Sequence, residues 1–383
     1  MFSRIRGFLN RHRRKFIVTG IVVGGGVLLL RYAQRKFREF QEAQAKELAE
    51  KFKRIQHLES TERTCNQTIT GLTPSMGGKI LKDLETKAIL DKLRSNPDNK
   101  MELWDELKII AFTRVVAIVY ASIMLVITLR IQLSILGGHI YKDILVSDDN
   151  EITTDVQTLY MSLIQHLMGP GLNDLIEIIK KHVTEILSRY KLKQKLTLAD
   201  TETLFWTIQM AVINDEQNPV KFLPKYVFPA EIDDASNGIL TKMYAETLDV
   251  LESDETRDLF MQNLSNGFSL VVDKIAEFYS ESKPPSTSHD AEPSTSNGFI
   301  HNSVDSKIVN INNIEVPLAK LIPIINGLTT KCLNGYTAAA VASASNSADF
   351  NRNQDMLTSL ISFLISNEKI KTLAANVYET FCQ

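Results

Sequence analysis

The chain has 383 residues, 44% of them hydrophobic and 23% charged, with few Gly and Pro. That composition supports a sizeable buried core and excludes a disordered or collagen-like protein. The net charge of −2 hides an asymmetry: ten of the 43 basic residues lie in residues 1–38, ahead of the first carboxylate at Glu39, which leaves 33 basic against 45 acidic residues in the remainder. A basic head suits an anionic membrane surface, whereas the acidic body lacks the clustered basic face that nucleic acid requires.

Phe16–Leu30 is an uncharged run of fifteen residues, flanked by Arg11, Arg13, Arg14 and Lys15 on one side and by Arg31, Arg35, Lys36 and Arg38 on the other. As a helix it spans about 22 Å, short of the roughly 30 Å hydrocarbon core unless the flanking cations snorkel. A cleaved signal peptide would need a small-x-small site, which Leu30-Arg31-Tyr32 does not offer, and a mitochondrial presequence would be amphipathic. The segment reads as an uncleaved transmembrane anchor, about 16–33, after a basic segment 1–15. Gly20 and Gly24 are spaced for close helix approach, although small residues more often merely tolerate lipid.

Beyond the anchor the pattern is helix after helix, with almost no strand alternation. A long helix from Gln34 to about Leu72 sets Phe37, Leu48, Phe52, Ile55 and Ile69 among many charges, its first half polar enough for a stalk; Pro74 marks its expected end. A helix over about 76–94 follows and includes Leu93. The next element, Asn99–Gly138, opens with Asn99 and Glu102 at capping-box spacing, passes through the uncharged run Val115–Leu129 between Arg114 and Arg130, and stops at Gly137-Gly138.

After it come stripes at Val156, Leu159, Leu163 and Leu167, terminated by Gly169-Pro170-Gly171; at Leu175, Ile179, Val183, Ile186 and Tyr190; and at Leu204, Ile208 and Val212. Residues 218–230, with three prolines, read as an ordered loop. Helices resume through Leu240, Met243 and Leu251 and through Leu259, Leu264, Val271, Ile275 and Phe278. A flexible insertion, 281–313, and a small-residue loop, 336–353, bracket another apolar segment, and a final helix covers 355–382. The reading is all-α: one transmembrane anchor, then a single large elongated bundle, 34–383, around a long buried central helix.

Fifteen uncharged residues are too few to cross a bilayer comfortably, and upstream extension would draw Arg114 inward. A helix apolar on all sides is equally expected at the middle of a bundle. The buried axis is therefore the favoured reading, with a two-span structural membrane protein or organelle tether as the alternative. At the start of this helix Lys100, Trp104, Leu107, Lys108 and Ala111 share a face. Spacing alone favours a core Trp; lysines four residues before and after it also describe an apolar groove with a basic rim, suited to an amphipathic helix from an acidic partner.

No catalytic, metal or cofactor pattern emerges. The seven histidines are scattered, and nothing matches a phosphate loop, nucleophile elbow or dinucleotide fingerprint. Asp200/Glu202 and Asp233/Asp234 read as helix-start charges rather than acid–base pairs. Cys65, Cys332 and Cys382, odd in number and far apart, fit a reducing compartment. A non-enzymatic interaction protein is the expectation.

Separated blocks then carry a resemblance. They are Phe8-Leu9-Asn10-Arg11-His12-Arg13-Arg14-Lys15; Arg63-Thr64-Cys65-Asn66; Leu103-Trp104-Asp105-Glu106-Leu107-Lys108-Ile109-Ile110 with Gly137-Gly138-His139-Ile140-Tyr141; Pro317-Leu318-Ala319-Lys320 with Pro323-Ile324-Ile325-Asn326-Gly327; and Ala374-Ala375-Asn376-Val377-Tyr378-Glu379. In these blocks the chain resembles the peroxin-3 family of peroxisomal biogenesis factors over most of its length. The resemblance implies an anchor in the peroxisomal membrane, with the ER as an alternative route to it, and an all-helical cytosolic domain. It implies docking of peroxin-19, the soluble receptor that carries new peroxisomal membrane proteins, in a groove matched here by Trp104, Leu107, Lys100 and Lys108, with Leu93 and Ile140 as walls. It further implies tethering of inheritance or autophagy factors in some organisms. Residues 281–313 and 336–353 depart from the family pattern.

Overall fold

Apolar residues at helical spacing give twelve α-helices among the residues described in the computed structural model, which are 2–95, 97–146, 152–232, 238–281, 314–330 and 355–382, with 2–30 as backbone only. The side chains of the expected anchor and of Arg11, Arg13, Arg14 and Lys15 lie outside this description, as do 282–313, the loop 336–353, and Asp233 and Asp234. The chain divides into two units, Met1–Glu59 and Ser60–Gln383. The first is one helical stretch whose residues 31–53 are all exposed.

Several expected ends are displaced. Helix α1 (Phe2–Asp83) runs through Pro74. The proline forfeits one backbone bond, but Ile69, Thr73, Met76 and Ile80 around it are all buried, and that burial outweighs the local signal. The break falls at Leu84–Thr86, before α2 (Lys87–Arg94). Helix α3 (Lys100–Val146) continues eight residues past Gly138. Its glycines serve close packing: a Cβ on Gly138 would meet the Tyr378 carbonyl oxygen and the Phe381 Cβ, both at 2.9 Å.

Gly169-Pro170-Gly171 likewise does not end a helix. After α4 (Thr154–Ser162) the chain tightens to a 3₁₀ turn at Leu163–His166, widens to a π turn at Leu167–Gly171, and enters α5 (Leu172–Leu187) without leaving helical geometry. Next come β1 (Lys195–Leu196), α6 (Leu198–Ile213), α7 (Leu223–Val227) within the expected proline loop, α8 (Gly238–Glu252) and α9 (Asp254–Glu281). Strand β2 (Val316–Pro317) pairs antiparallel with β1 and leads into α10 (Leu318–Thr330). The expected final helix is two, α11 (Met356–Ser366) and α12 (Glu368–Phe381), because the Asn367 side chain caps the second by accepting from the Lys369 and Ile370 N–H groups.

Helix α3 is the axis of the second unit. Every residue from Ile110 to Gly138 is buried, covered by α5, α8, α9, α10, α11 and α12. It is long and apolar enough to cross a membrane, yet with neighbours all round it has no lipid-facing side, as the buried-axis reading requires.

The two arginines that bound its uncharged run are buried with it. Arg114 donates through Nη1 to Asn326 Oδ1 (3.0 Å) and Thr86 Oγ1 (3.3 Å), and through Nη2 to the Leu81 carbonyl (3.2 Å). Arg130 donates through Nη2 to Asn66 Oδ1 (2.6 Å) and the Ile365 carbonyl (3.2 Å), and its Nη1 lies 3.6 Å from Glu62 Oε1. A buried guanidinium is costly unless it is paired, and each arginine, held through its Nη atoms, ties the axis to α1 and to a later helix.

Candidate functional site

The amino-terminal end of α3 is where the axis emerges from cover. Leu103 and Leu107 turn inward and are buried, while Trp104 is half-buried against the core and Lys100 and Met101 are exposed. Helix α2, which packs on α3, repeats the arrangement: Ile89 is buried, and Leu90 and Leu93 are half-buried on the core, among exposed Lys87, Lys92 and Arg94. The end therefore presents part-covered apolar side chains with cations around them.

Lys108 does not belong to that rim. It is 3% exposed, and its Nζ donates to Asp105 Oδ1 (2.8 Å) and to the Tyr190 carbonyl (3.0 Å). One lysine thus clips the segment after α5 onto α3. The same segment is held from its other side, where the Leu192 and Gln194 carbonyls accept from the Ala319 and Leu318 N–H groups. Between this segment and α3 lies an open cavity of about 600 Å³, with Met101, Ile109 and Leu192 in its walls and Lys191 and Lys193 beside them.

The residues expected to form the groove are thus partly gathered and partly not. Lys100, Trp104 and Leu93 belong to the α2–α3 end. Leu107 lies beneath that surface, fully covered, and Lys108 works as an internal clamp. Ile140 is corrected as a groove wall: it lies on the same helix 36 residues from Trp104, about 54 Å along the axis. Met101, Asp105, Tyr190, Lys191 and Lys193 were not read from sequence as belonging to this end. An acceptor 82 residues from its lysine leaves no local signal.

Elsewhere several titratable groups have structural partners. Asp200 closes a capping box with Thr197 at the start of α6, and these hydrogen bonds hold its carboxyl below the usual range, as the helix-start reading requires. Asp215 accepts from Lys181 (2.8 Å) and His182 (2.7 Å) and is held well below the usual range, chiefly by Lys181. His139 lies 2.6 Å from Glu246, and its ring packs at a tilt against Phe381. Burial pushes the Cys65 thiol up to about 12, which keeps it protonated and unreactive at neutral pH. Among the described residues no three His, Cys, Asp or Glu side chains are placed to hold a metal ion.

Fold and site together define an all-helical protein built on a buried axis, with an apolar, lysine-bordered surface at one end of that axis. The family model that matches is Peroxin-3, over residues 7–100, 94–151 and 142–380. The peroxisomal biogenesis factor 3 of Mus musculus is 35% identical over 400 residues, covering 100% of this chain and 98% of that protein. That of Homo sapiens is 34% identical over 407 residues with the same coverage. Peroxisome biogenesis protein 3-1 of Arabidopsis thaliana is 27% identical over 215 residues, 50% of this chain and 60% of its own. The chain belongs to the peroxin-3 family, and its function lies in peroxisome biogenesis.

Proposed function

We propose that the chain is a non-catalytic docking receptor of the peroxisomal membrane, and that the α2–α3 end receives an amphipathic helix of peroxin-19 carrying membrane-protein cargo. In this reading Phe16–Leu30 anchors the chain, lipid meets the basic flank, and the helical body faces the cytosol. The observation that carries the proposal is the half-buried state of Trp104: its ring is fixed by the core on one side and open on the other, one turn from exposed Lys100. A rigid aromatic with a partly open face is what an apolar helix face packs on with little loss of conformational entropy. Lys100, Lys191 and Lys193 add a positive field that favours an acidic partner and speeds its arrival.

Hydrogen–deuterium exchange of the full-length chain in detergent, with and without the amino-terminal amphipathic peptide of peroxin-19, tests the location. Saturating peptide is expected to slow exchange in residues 87–108. Peptide bound at saturation with protection confined to other segments would overturn the site.

A further inference from the structure

The proposed docking at the end of α3 does not involve a second apolar surface, on the first unit. In the first unit Phe37, Phe40, Leu48, Phe52 and Ile55 are each between 50% and 63% exposed. On a helix they fall within an arc of about 120°, while Glu39, Glu42, Lys46, Glu50 and Lys53 occupy the other side. Large apolar residues scattered singly over a surface are ordinary; five on one stripe mark a face that is covered in use.

We infer that a second copy of this chain covers the stripe, the two helices running parallel and in register. The inference rests on the reading of Phe16–Leu30 as a membrane anchor. Helix α1 is continuous from Phe2 to Asp83, so Phe37 and Ile55 stand about 10 Å and 37 Å beyond Leu30 along its axis. The headgroup layer is only about 5–8 Å deep, so while α1 remains helical lipid reaches no further than the membrane-proximal end of the stripe at Phe37 and leaves Leu48, Phe52 and Ile55 uncovered. A second copy anchored in the same bilayer presents the same stripe at the same height and in the same direction, as a two-fold contact requires.

The area is sufficient for a pair so confined. An aromatic side chain presents about 150–250 Å², so five large side chains at this exposure offer on the order of 500 Å², and a pair buries roughly 1,000 Å², the lower bound for a specific interface. The charges permit it. Gln44 on the stripe is neutral, and Lys51, which lies within the arc, is paired with Glu47 of its own helix at 2.7 Å, so the approach sets no unpaired lysines against each other.

The test is photobleaching of the full-length chain, one fluorophore per copy, at low density in phosphatidylcholine vesicles. Most spots are expected to bleach in two steps. Leu48→Glu with Phe52→Glu is expected to convert them to one step while leaving binding of the peroxin-19 peptide intact, and the uncharged pair Leu48→Ala and Phe52→Ala to shift the distribution the same way. Single-step bleaching of the wild type, or two-step bleaching that survives both variants, would overturn the pairing. Loss of the chain from the vesicles on alkaline washing would overturn the anchor and this pairing with it, while peptide binding in detergent reports on docking separately.

Discussion

Replacing Arg130 with leucine is expected to lower the stability of the Ser60–Gln383 unit by about 3–5 kcal/mol. Two hydrogen bonds from a charged donor are lost, at about 1.5–3 kcal/mol each, and the Asn66 and Ile365 oxygens lose their donor inside the protein. Arg130→Lys is expected to recover only part of that loss, because a single ammonium does not reproduce the planar fork that spans α1 and the end of α11. Urea unfolding of the full-length protein in detergent, followed by far-UV circular dichroism, measures both. A loss below 1 kcal/mol for Arg130→Leu would mean that the arginine is held by the fold without holding it.

Gly171→Ala is the second large effect. A Cβ there would stand 1.8 Å from the Tyr226 carbonyl oxygen and 2.8 Å from its carbon. Both are backbone atoms, so no side chain can swing aside, and either the π turn before α5 or helix α7 must move. The cost is expected to be about 3 kcal/mol or more, at the upper end for overpacking, read from the same unfolding experiment. Gly169→Ala, two residues away and with nothing within 4 Å of its Cβ position, is expected to change stability little. Helix propensity favours alanine at both positions, so equal losses at the two sites would mean that the contact with α7 does not set the cost.

These sites show which parts of the fold are legible in the sequence. The axis could be read because an uncharged run bounded by Arg114 and Arg130 sits among amphipathic stripes that need a common partner. Helix ends could not, because Pro74, Gly137-Gly138 and Gly169-Pro170-Gly171 are local stop signals that long-range packing overrides. Gly138 is a seat for α12 rather than a terminator, and Gly171 a seat for α7.

The blocks that carried the family resemblance are explained in part by the same packing. Asn66 and Asn326 are the side-chain partners of Arg130 and Arg114, and Tyr378 lies against Gly138. Much of that resemblance therefore records how the axis is held. Of the proposed site, Trp104 and Lys100 were assigned through the family resemblance, since spacing alone favours a core Trp. The inward turn of Lys108 was not legible, because its acceptor lies on a distant segment, nor was the separation of Ile140, since the Gly137-Gly138 stop signal placed it beyond the expected end of the helix that in fact carries it.

The most direct measurement of docking at the α2–α3 end is the affinity of full-length wild type and of Trp104→Ala for the peroxin-19 peptide, with unfolding of both proteins recorded alongside. Truncating a half-buried aromatic anchor is expected to weaken binding by about 2–4 kcal/mol, roughly 30- to 700-fold at 1.4 kcal/mol per decade. The unfolding curve is expected to move far less than for Arg130→Leu. Equal affinity of the two proteins, with both folded, would contradict the docking site.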